Sequence, residues 1–190
     1  MQQNANIDVS GAHRALGRSL NRAIVLVGLM GVGKSTVGKR LAAELGMQFV
    51  DADEEIEKAA QLSISEIFQR FGEDYFRDGE RRVIARLIDG NPRVIATGGG
   101  AFMCDDTRAL ILDRAIAIWL KADISTLAER VSRRDTRPLL KNGNPVDILT
   151  ELAAKRDPVY ALAPIHVHSA RGPHVQTVQK ILEALEQWQG

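Results

Sequence analysis

The hydrophobic positions of this 190-residue chain fall into short apolar runs that alternate with longer stretches of helical periodicity. Such runs, rich in Val, Ile and Ala, are typical of strands buried in a parallel sheet. We predict five strands, at residues 23–30, 47–50, 93–96, 115–120 and 165–168. Strand followed by helix, repeated five times, predicts a three-layer α/β/α fold with a five-stranded parallel sheet covered on both faces.

Helix boundaries are marked by residues that start or stop a helix. Ser63 and Glu66 fit a capping box, in which each side chain accepts a hydrogen bond from the backbone N–H of the other residue. Gly46 and Gly72 are typical helix stops. Together with the apolar spacing, these signals predict helices at residues 64–71, 76–89, 124–132, 146–161 and 174–187, besides one after the first strand.

Two segments lack this pattern. Residues 1–21 are polar and without clear periodicity, so we expect a disordered or loosely helical N-terminal extension. Its Arg14, Arg18 and Arg22 recur every four residues and could form one basic helical face; a solvated tail is favoured over a transit peptide or a partner contact. Residues 133–145 are polar, basic and interrupted by Pro and Gly. A loop of about this length inside a compact domain is usually functional, which favours a lid over a solvated loop without a role. We expect residues 22–190 to form one domain.

The first strand leads into the sequence GLMGVGKS, from Gly28 to Ser35. Two glycines flanking four residues and followed by Lys-Ser fit the phosphate-loop pattern, in which backbone amides surround a polyphosphate. Lys34 adds a point charge, and Ser35 opens a helix whose N-terminus favours an anion and whose hydroxyl can ligate Mg²⁺. The alternative is a glycine-rich turn that only joins a strand to a helix.

Polar residues and glycines follow two other predicted strands. Asp51 and Asp53 stand at the carboxyl end of the second strand, where parallel sheets face their ligands. They are therefore candidates for Mg²⁺ or hydroxyl chemistry, although both could simply begin a helix. The run 97–100, Thr-Gly-Gly-Gly, ends the third strand. Its entropic cost indicates a close approach of backbone to a ligand or another segment; the alternative is a flexible turn.

The composition of the chain limits the classes of binding partner that can be expected. The formal net charge is +1, so no overall field favours nucleic acid or an anionic membrane. No run approaches the ~18 apolar residues of a membrane helix, and the single cysteine excludes an internal disulfide. We expect a cytoplasmic monomer that acts on small molecules.

Six motifs in order extend the phosphate loop into a family resemblance. They are GLMGVGKST, FVDADEEIE, YFRDGE, ATGGGA, TRPLL and KRDPVY, spanning Gly28 to Tyr160. Together they resemble shikimate kinase, in the nucleoside monophosphate kinase-like group of phosphate-loop kinases. The resemblance implies the phosphate-loop kinase fold with a short lid. It also implies transfer of the ATP γ-phosphoryl group to the 3-hydroxyl of shikimate, a step towards chorismate and the aromatic amino acids.

The resemblance also implies roles for individual residues. Shikimate is bound by Asp53 through its hydroxyls, by Arg77 and Arg156 through its carboxylate, and by the backbone of Gly99. Mg²⁺ is held by Ser35 and, through water, by Asp51. The catalytic residues are Lys34, Asp53 and Arg137, the last in the lid. The ATP-binding residues are Gly31, Val32, Gly33, Lys34, Ser35, Thr36, Arg130 and Arg137.

Two other functions compete with this interpretation. One is a kinase for another small hydroxylated acid such as gluconate, or for a nucleoside monophosphate. The other is a nucleotide-dependent binding module that kept the fold and lost the chemistry. The simultaneous presence of Lys34, Asp53, Arg77 and Arg156 disfavours the binding module, because a silent binder has no need of acceptor-site residues.

Overall fold

The computed structural model describes residues 9–132, 143–169 and 172–188. Its sheet has five parallel strands in the order β2-β3-β1-β4-β5. The strands are β1 (Ala23–Val27), β2 (Gln48–Asp51), β3 (Arg93–Ala96), β4 (Ala115–Lys121) and β5 (Ile165–His168). The described helices are α1 (Val9–Ser19), α2 (Lys34–Leu45), α3 (Ala52–Ala60), α4 (Ile64–Ile88), α5 (Asp105–Arg114), α6 (Ile124–Ser132), α7 (Pro145–Tyr160) and α8 (His174–Gln187). A short 3₁₀ helix spans Ala101–Met103. The predicted five-stranded α/β/α architecture is confirmed.

The central strand β1 lies in the middle of the hydrophobic core. All five of its residues are buried, and β3 and β4 pair with it on either side. Because all strands are parallel, the loops after β1, β2 and β3 leave the sheet at the same edge. That edge brings the phosphate loop, the two acids and the glycine run together.

The predicted helix signals act as expected. Gly46 ends α2 with a left-handed φ of 65°, and its N–H reaches the carbonyls of the last helical turn. Ser63 and Glu66 form both hydrogen bonds of a capping box at the start of α4. Gly72 interrupts α4 with φ 81° and ψ 179°, so α4 consists of two helical segments that meet at that glycine.

The sequence predicted a disordered or loosely helical extension at residues 1–21, and the described part of that segment contains a helix that packs on the domain. Residues 9–19 form α1, which packs against α2, and the imidazole Nδ1 of buried His13 lies 3.1 Å from Glu44 Oε2. Gly17 sits so close to α2 that a Cβ there would lie 2.0 Å from the carbonyl oxygen of Leu45. These contacts join residues far apart in the chain, so local periodicity did not predict them. Residues 1–8 lie outside the described part of the chain.

The described helices include none that combines the length and apolarity needed to cross a lipid bilayer.

Candidate active site

The phosphate loop connects β1 to α2 and encloses the ammonium group of Lys34. Gly28, Gly31 and Gly33 all have positive φ, between 81° and 138°. Residues with a Cβ rarely adopt this backbone conformation. Lys34 Nζ donates to the carbonyl oxygens of Gly28 and Leu29, at 2.6 and 3.0 Å. The positive charge is therefore held inside the curve of the loop, at the N-terminus of a helix, where an anion is favoured.

Ser35 and Asp51 form the oxygen pair that the sequence predicted for a metal. Ser35 Oγ donates to Asp51 Oδ2 at 2.7 Å, while Asp51 Oδ1 accepts from the backbone N–H of Asp53 at 3.1 Å. Asp51 thus caps α3 and faces the phosphate loop at once, so the two alternatives for this acid are not exclusive. A hydroxyl and a carboxylate are the hard oxygen ligands that suit Mg²⁺, which usually keeps several waters. The donor set therefore fits that ion.

Three consecutive glycines, residues 98–100, form the opposite side of the site. A Cβ on Gly98 would lie 2.9 Å from Asp53 Oδ1, and one on Gly100 would lie 2.5 Å from a guanidinium nitrogen of Arg77. The carbonyl oxygen of Gly99 accepts from Arg156 at 3.2 Å and from the Tyr160 hydroxyl. The structure therefore gathers Asp53, Arg77 and Arg156 around one short stretch of backbone.

This glycine stretch is fixed to the phosphate-loop strand. Thr97 donates to the carbonyl oxygen of Leu26 twice, from its backbone N–H at 3.3 Å and from its hydroxyl at 3.0 Å. Leu26 is the penultimate residue of β1, two positions before the phosphate loop begins. The glycine stretch is consequently hydrogen-bonded to the strand that leads into the phosphate loop.

Arg77 has a buried partner that the sequence did not single out. Its Nη1 donates to Glu80 Oε2 at 2.6 Å, and Glu80 is only 1% exposed. Burial opposes the charge of Arg77, but the hydrogen bonds and charges of Glu80 and Glu73 outweigh it and raise the pKa of the guanidinium. Burial raises the pKa of Glu80 above its usual value, against the opposing effect of Arg77. One feature of the sequence could have identified Glu80. It lies one helical turn before Ile84, so it falls on the inward, apolar face of α4, where a glutamate is unusual.

Both loops open onto one crevice with a volume of about 480 Å³. The phosphate-loop side contributes Gly31, Gly33, Lys34, Ser35 and Thr36, and the opposite side contributes Asp51, Asp53, Thr97, Gly98 and Gly99. A volume of this size is within the usual range for small-molecule sites. Arg77 and Arg156 border the crevice through their contacts with the glycine stretch.

Arg130 extends from α6 to the back of the phosphate loop. Its Nη1 donates to the carbonyl oxygen of Val32 at 3.2 Å and to Ser169 Oγ at 3.4 Å. Burial lowers the pKa of Arg130 below its usual value. The imidazole of His174, which the sequence did not single out, lines the same end of the crevice beside Gly33.

Arg137 and most of the predicted lid lie outside the described residues, and that lid stays a prediction.

Comparison with known proteins identifies a consistent set of relatives. The sequence model of a family described as "Shikimate kinase" matches residues 30–186. The shikimate kinase of Novosphingobium aromaticivorans is 56% identical over 192 residues, which cover 99% of this chain and 100% of that protein. The shikimate kinase of Caulobacter vibrioides strain NA1000 is 60% identical over 166 residues, covering 87% of this chain and 83% of that protein.

The fold has a solved counterpart. A structure of shikimate kinase from Acinetobacter baumannii in complex with shikimate superimposes with a TM-score of 0.84. The two sequences are 36% identical, and the alignment covers 94% of this chain and 97% of that one.

Proposed function

The chain belongs to the shikimate kinase family, and from this premise we propose that its crevice transfers the γ-phosphoryl group of ATP to the 3-hydroxyl of shikimate. The products are ADP and shikimate 3-phosphate, an intermediate on the route to chorismate and the aromatic amino acids. The enzyme is an ATP-dependent kinase with an alcohol acceptor.

One observation carries the proposal for this crevice. A phosphate loop and a cluster suited to a hydroxylated acid open onto the same 480 Å³ space. The hydrogen bond from the Thr97 hydroxyl to the Leu26 carbonyl oxygen fixes the spacing between the two loops that line the crevice. Phosphoryl transfer depends mainly on such positioning and on charge stabilisation, so a rigid shared edge suits it.

The acceptor side recognises shikimate through charge and hydrogen bonds. Arg77 and Arg156 bind the carboxylate, because a guanidinium can donate two parallel, charge-assisted hydrogen bonds to it. Asp53 accepts hydrogen bonds from the ring hydroxyls, for which an ionised carboxylate is suited. The backbone of Gly99 contributes the remaining contact. Glu80 holds the Arg77 guanidinium from behind, at 2.6 Å.

The donor side holds ATP mostly through backbone. The amides from Gly31 to Thr36 surround the phosphates, and the charge of Lys34 compensates the negative charge that grows on the transferred group. Arg130 lies along the adenine. Arg137 adds a second cation towards the phosphates, a role that rests on the family resemblance alone.

Mg²⁺ fits the same side of the site. Ser35 would ligate it directly and Asp51 through water, as their 2.7 Å oxygen pair supports. When bound, the ion supplies neutralisation of phosphate charge.

The transfer forms one bond and breaks another. The 3-hydroxyl oxygen of shikimate bonds to the γ-phosphorus as the bond from that phosphorus to the β–γ bridging oxygen breaks, and ADP leaves with the bonding electrons. Asp53 accepts the hydroxyl proton, although a loose transition state demands little of a base. We further propose that the protein works as a cytoplasmic monomer.

An ADP-release assay coupled to NADH oxidation tests the proposal. Purified protein receives ATP and Mg²⁺ with shikimate, gluconate or a nucleoside monophosphate. We expect rapid turnover with shikimate and only background ATP hydrolysis with the others. Turnover solely with gluconate or a nucleotide would overturn the substrate assignment, and tight ATP binding without transfer to any acceptor would favour a binding module.

A further inference from the structure

Tyr160 ends helix α7 and is completely buried, with an exposed fraction of 0%. Its ring packs against two aromatic rings, those of Phe102 at a centroid distance of 6.4 Å and Trp119 at 6.1 Å. Both pairs are roughly parallel, with interplanar angles of 22° and 29°. A tyrosine side chain has only two rotatable bonds, so this packing holds its hydroxyl at one place.

The hydroxyl makes hydrogen bonds to the acceptor side of the crevice. It donates to the carbonyl oxygen of Gly99, which also accepts from Arg156 at 3.2 Å. Arg156 and Tyr160 are four residues apart on α7, so both project from one helix face towards the same carbonyl. The hydroxyl and the guanidinium therefore share one acceptor atom.

The hydroxyl remains a donor over any physiological pH. Burial raises the pKa of Tyr160 to about 12, against the opposing charge of Arg156. A neutral phenol can donate to the Gly99 carbonyl, which a phenylalanine cannot do. The second hydrogen bond to that carbonyl therefore depends on this one oxygen atom.

We propose that Tyr160 is a positioning residue that fixes the Gly99 carbonyl and the Arg156 guanidinium relative to each other, and thereby sets the affinity for the acceptor carboxylate. This inference rests on the proposed function, in which Arg156 binds that carboxylate. It extends that function to a side chain that does not itself line the crevice.

The competing explanation is a core tyrosine whose hydroxyl merely satisfies a buried acceptor. The two explanations differ in what the hydroxyl changes. Gly99 keeps Arg156 as a donor when the hydroxyl is removed, so its carbonyl would not be left unsatisfied and the fold should lose little stability. The carbonyl that accepts from Arg156, however, would lose the hydroxyl that fixes its position. The effect should therefore appear in acceptor binding more than in unfolding.

Steady-state kinetics of Tyr160→Phe provide the test. We expect the KM for shikimate to rise about fivefold, as the loss of one net hydrogen bond predicts, while kcat and the KM for ATP change less than about twofold. The matched control is Tyr75→Phe, which removes the hydroxyl of the chain's other tyrosine from an exposed position on α4. The control should leave all three constants unchanged.

Hydrogen exchange gives a second measurement that needs no acceptor. Peptides covering residues 97–103 should exchange faster in Tyr160→Phe than in the wild type or in Tyr75→Phe, because the Gly99 peptide unit loses one of its anchors. Unchanged exchange there, or a lower melting temperature with an unaltered KM for shikimate, would overturn the positioning role. A wild-type enzyme that ignores shikimate would instead refute the proposed function, and the exchange result would still decide whether Tyr160 fixes the loop.

Discussion

At the scale of single residues, the acceptor side of the crevice is built on backbone without side chains of its own. Gly98 and Gly100 allow Asp53 and Arg77 to approach the backbone closely. A Cβ on Gly98 would lie 2.9 Å from a carboxylate oxygen of Asp53, and one on Gly100 would lie 2.5 Å from a guanidinium nitrogen of Arg77. The charged groups thus rest directly against a stretch of main chain that the hydrogen bonds of Thr97 to Leu26 hold in place. Their mutual arrangement is therefore preorganised.

Lys34→Ala and Arg156→Ala should separate catalysis from acceptor binding. Loss of Lys34 removes charge stabilisation of the transition state, so we expect kcat to fall on the order of 10³-fold. Loss of Arg156 removes a charged hydrogen-bond donor for the carboxylate, so the KM for shikimate should rise roughly 10- to 100-fold while ATP affinity stays nearly intact. Steady-state kinetics in both substrates measure the two effects. The opposite pattern for Arg156→Ala, weak ATP and normal shikimate binding, would mean that the two sides of the site are exchanged.

Glu80 should give folding stability a distinct pH dependence. The pKa of Glu80 is raised in the folded protein, so the protonated carboxyl stabilises the fold. This contribution to the free energy of unfolding is complete below the pKa of Glu80 in the unfolded chain. It is lost in the window between that value and the raised pKa of the folded protein. Glu80→Gln cannot ionise. We expect the free energy of unfolding of the wild type to fall relative to that of Glu80→Gln across this window, as measured by urea unfolding at several pH values.

Glu73→Gln is the matched control for that experiment, since it removes the exposed partner of the same arginine. The slope of the difference between Glu80→Gln and the wild type is informative, whereas its absolute size also contains the lost ion pair. If the free energies of unfolding of Glu80→Gln and the wild type changed with pH in parallel, the assignment of a raised pKa to Glu80 would be contradicted.

The local sequence predicted those residues whose role follows from a motif. Lys34 and Ser35 were identified by spacing and by the strand and helix around them. Arg77 could not be separated from the other arginines of α4 by pattern, and only the family resemblance singled it out. The structure supplies the physical difference, because Arg81 and Arg82 pair with Asp78 at the surface while Arg77 pairs with a buried glutamate. Such partners are set by tertiary packing and leave little trace in local sequence.

At the scale of elements, α4 contains two glycines with opposite consequences. Gly72 adopts φ 81° and ψ 179°, a region that only glycine populates readily, and no atom lies within 4 Å of where its Cβ would be. Gly79 lies in the second helical segment, also with open space around it. We expect Gly72→Ala to lower the free energy of unfolding by about 1–3 kcal/mol, and Gly79→Ala to raise it by about 0.5–1 kcal/mol.

Chemical denaturation of the two variants measures both signs within one helix. Since neither new methyl group meets a neighbour, the comparison isolates backbone conformation from packing. A stable Gly72→Ala protein would mean that the helix can straighten without loss, and the break in α4 would then be incidental.

Element prediction succeeded where the signal is local. The strands at residues 93–96 and 165–168 and the helices at 124–132 and 174–187 were predicted with the bounds that the structure has. In contrast, α1 is poor in large apolar residues and owes its place to the close contact of Gly17 with α2. A small residue that permits contact gives no periodic signal.

At the scale of the whole molecule, that contact makes the N-terminal helix part of the folded unit. Gly17→Ala would put a Cβ 2.0 Å from the Leu45 carbonyl oxygen, so α1 must shift or detach. We expect a lower melting temperature and faster hydrogen exchange in α1, with kcat nearly unchanged because the crevice lies at the other end of α2. Arg18→Ala, on the exposed side of the same helix, is the control. Equal melting temperatures for the two variants would show that docking of α1 adds little stability.

The number and direction of the strands followed from the sequence, but their order did not. Repeated strand–helix units require parallel strands, whereas the order β2-β3-β1-β4-β5 depends on pairings such as Ile24 with Val94, seventy positions apart. The sequence therefore predicted that the polar strand ends share one edge. Which ends become neighbours is a property of the assembled sheet.

The double hydrogen bond from Thr97 to Leu26 also has an evolutionary consequence. The spacing between the two loops is set by hydrogen bonds between two adjacent strands, whereas the residues that we propose for acceptor binding lie on α3, α4 and α7. On that proposal, we expect substitutions in those helices to change which alcohol is phosphorylated more than they change ATP binding. The architecture thus keeps the two proposed sets of binding residues on separate elements, so a change of acceptor would need no change in the phosphate loop.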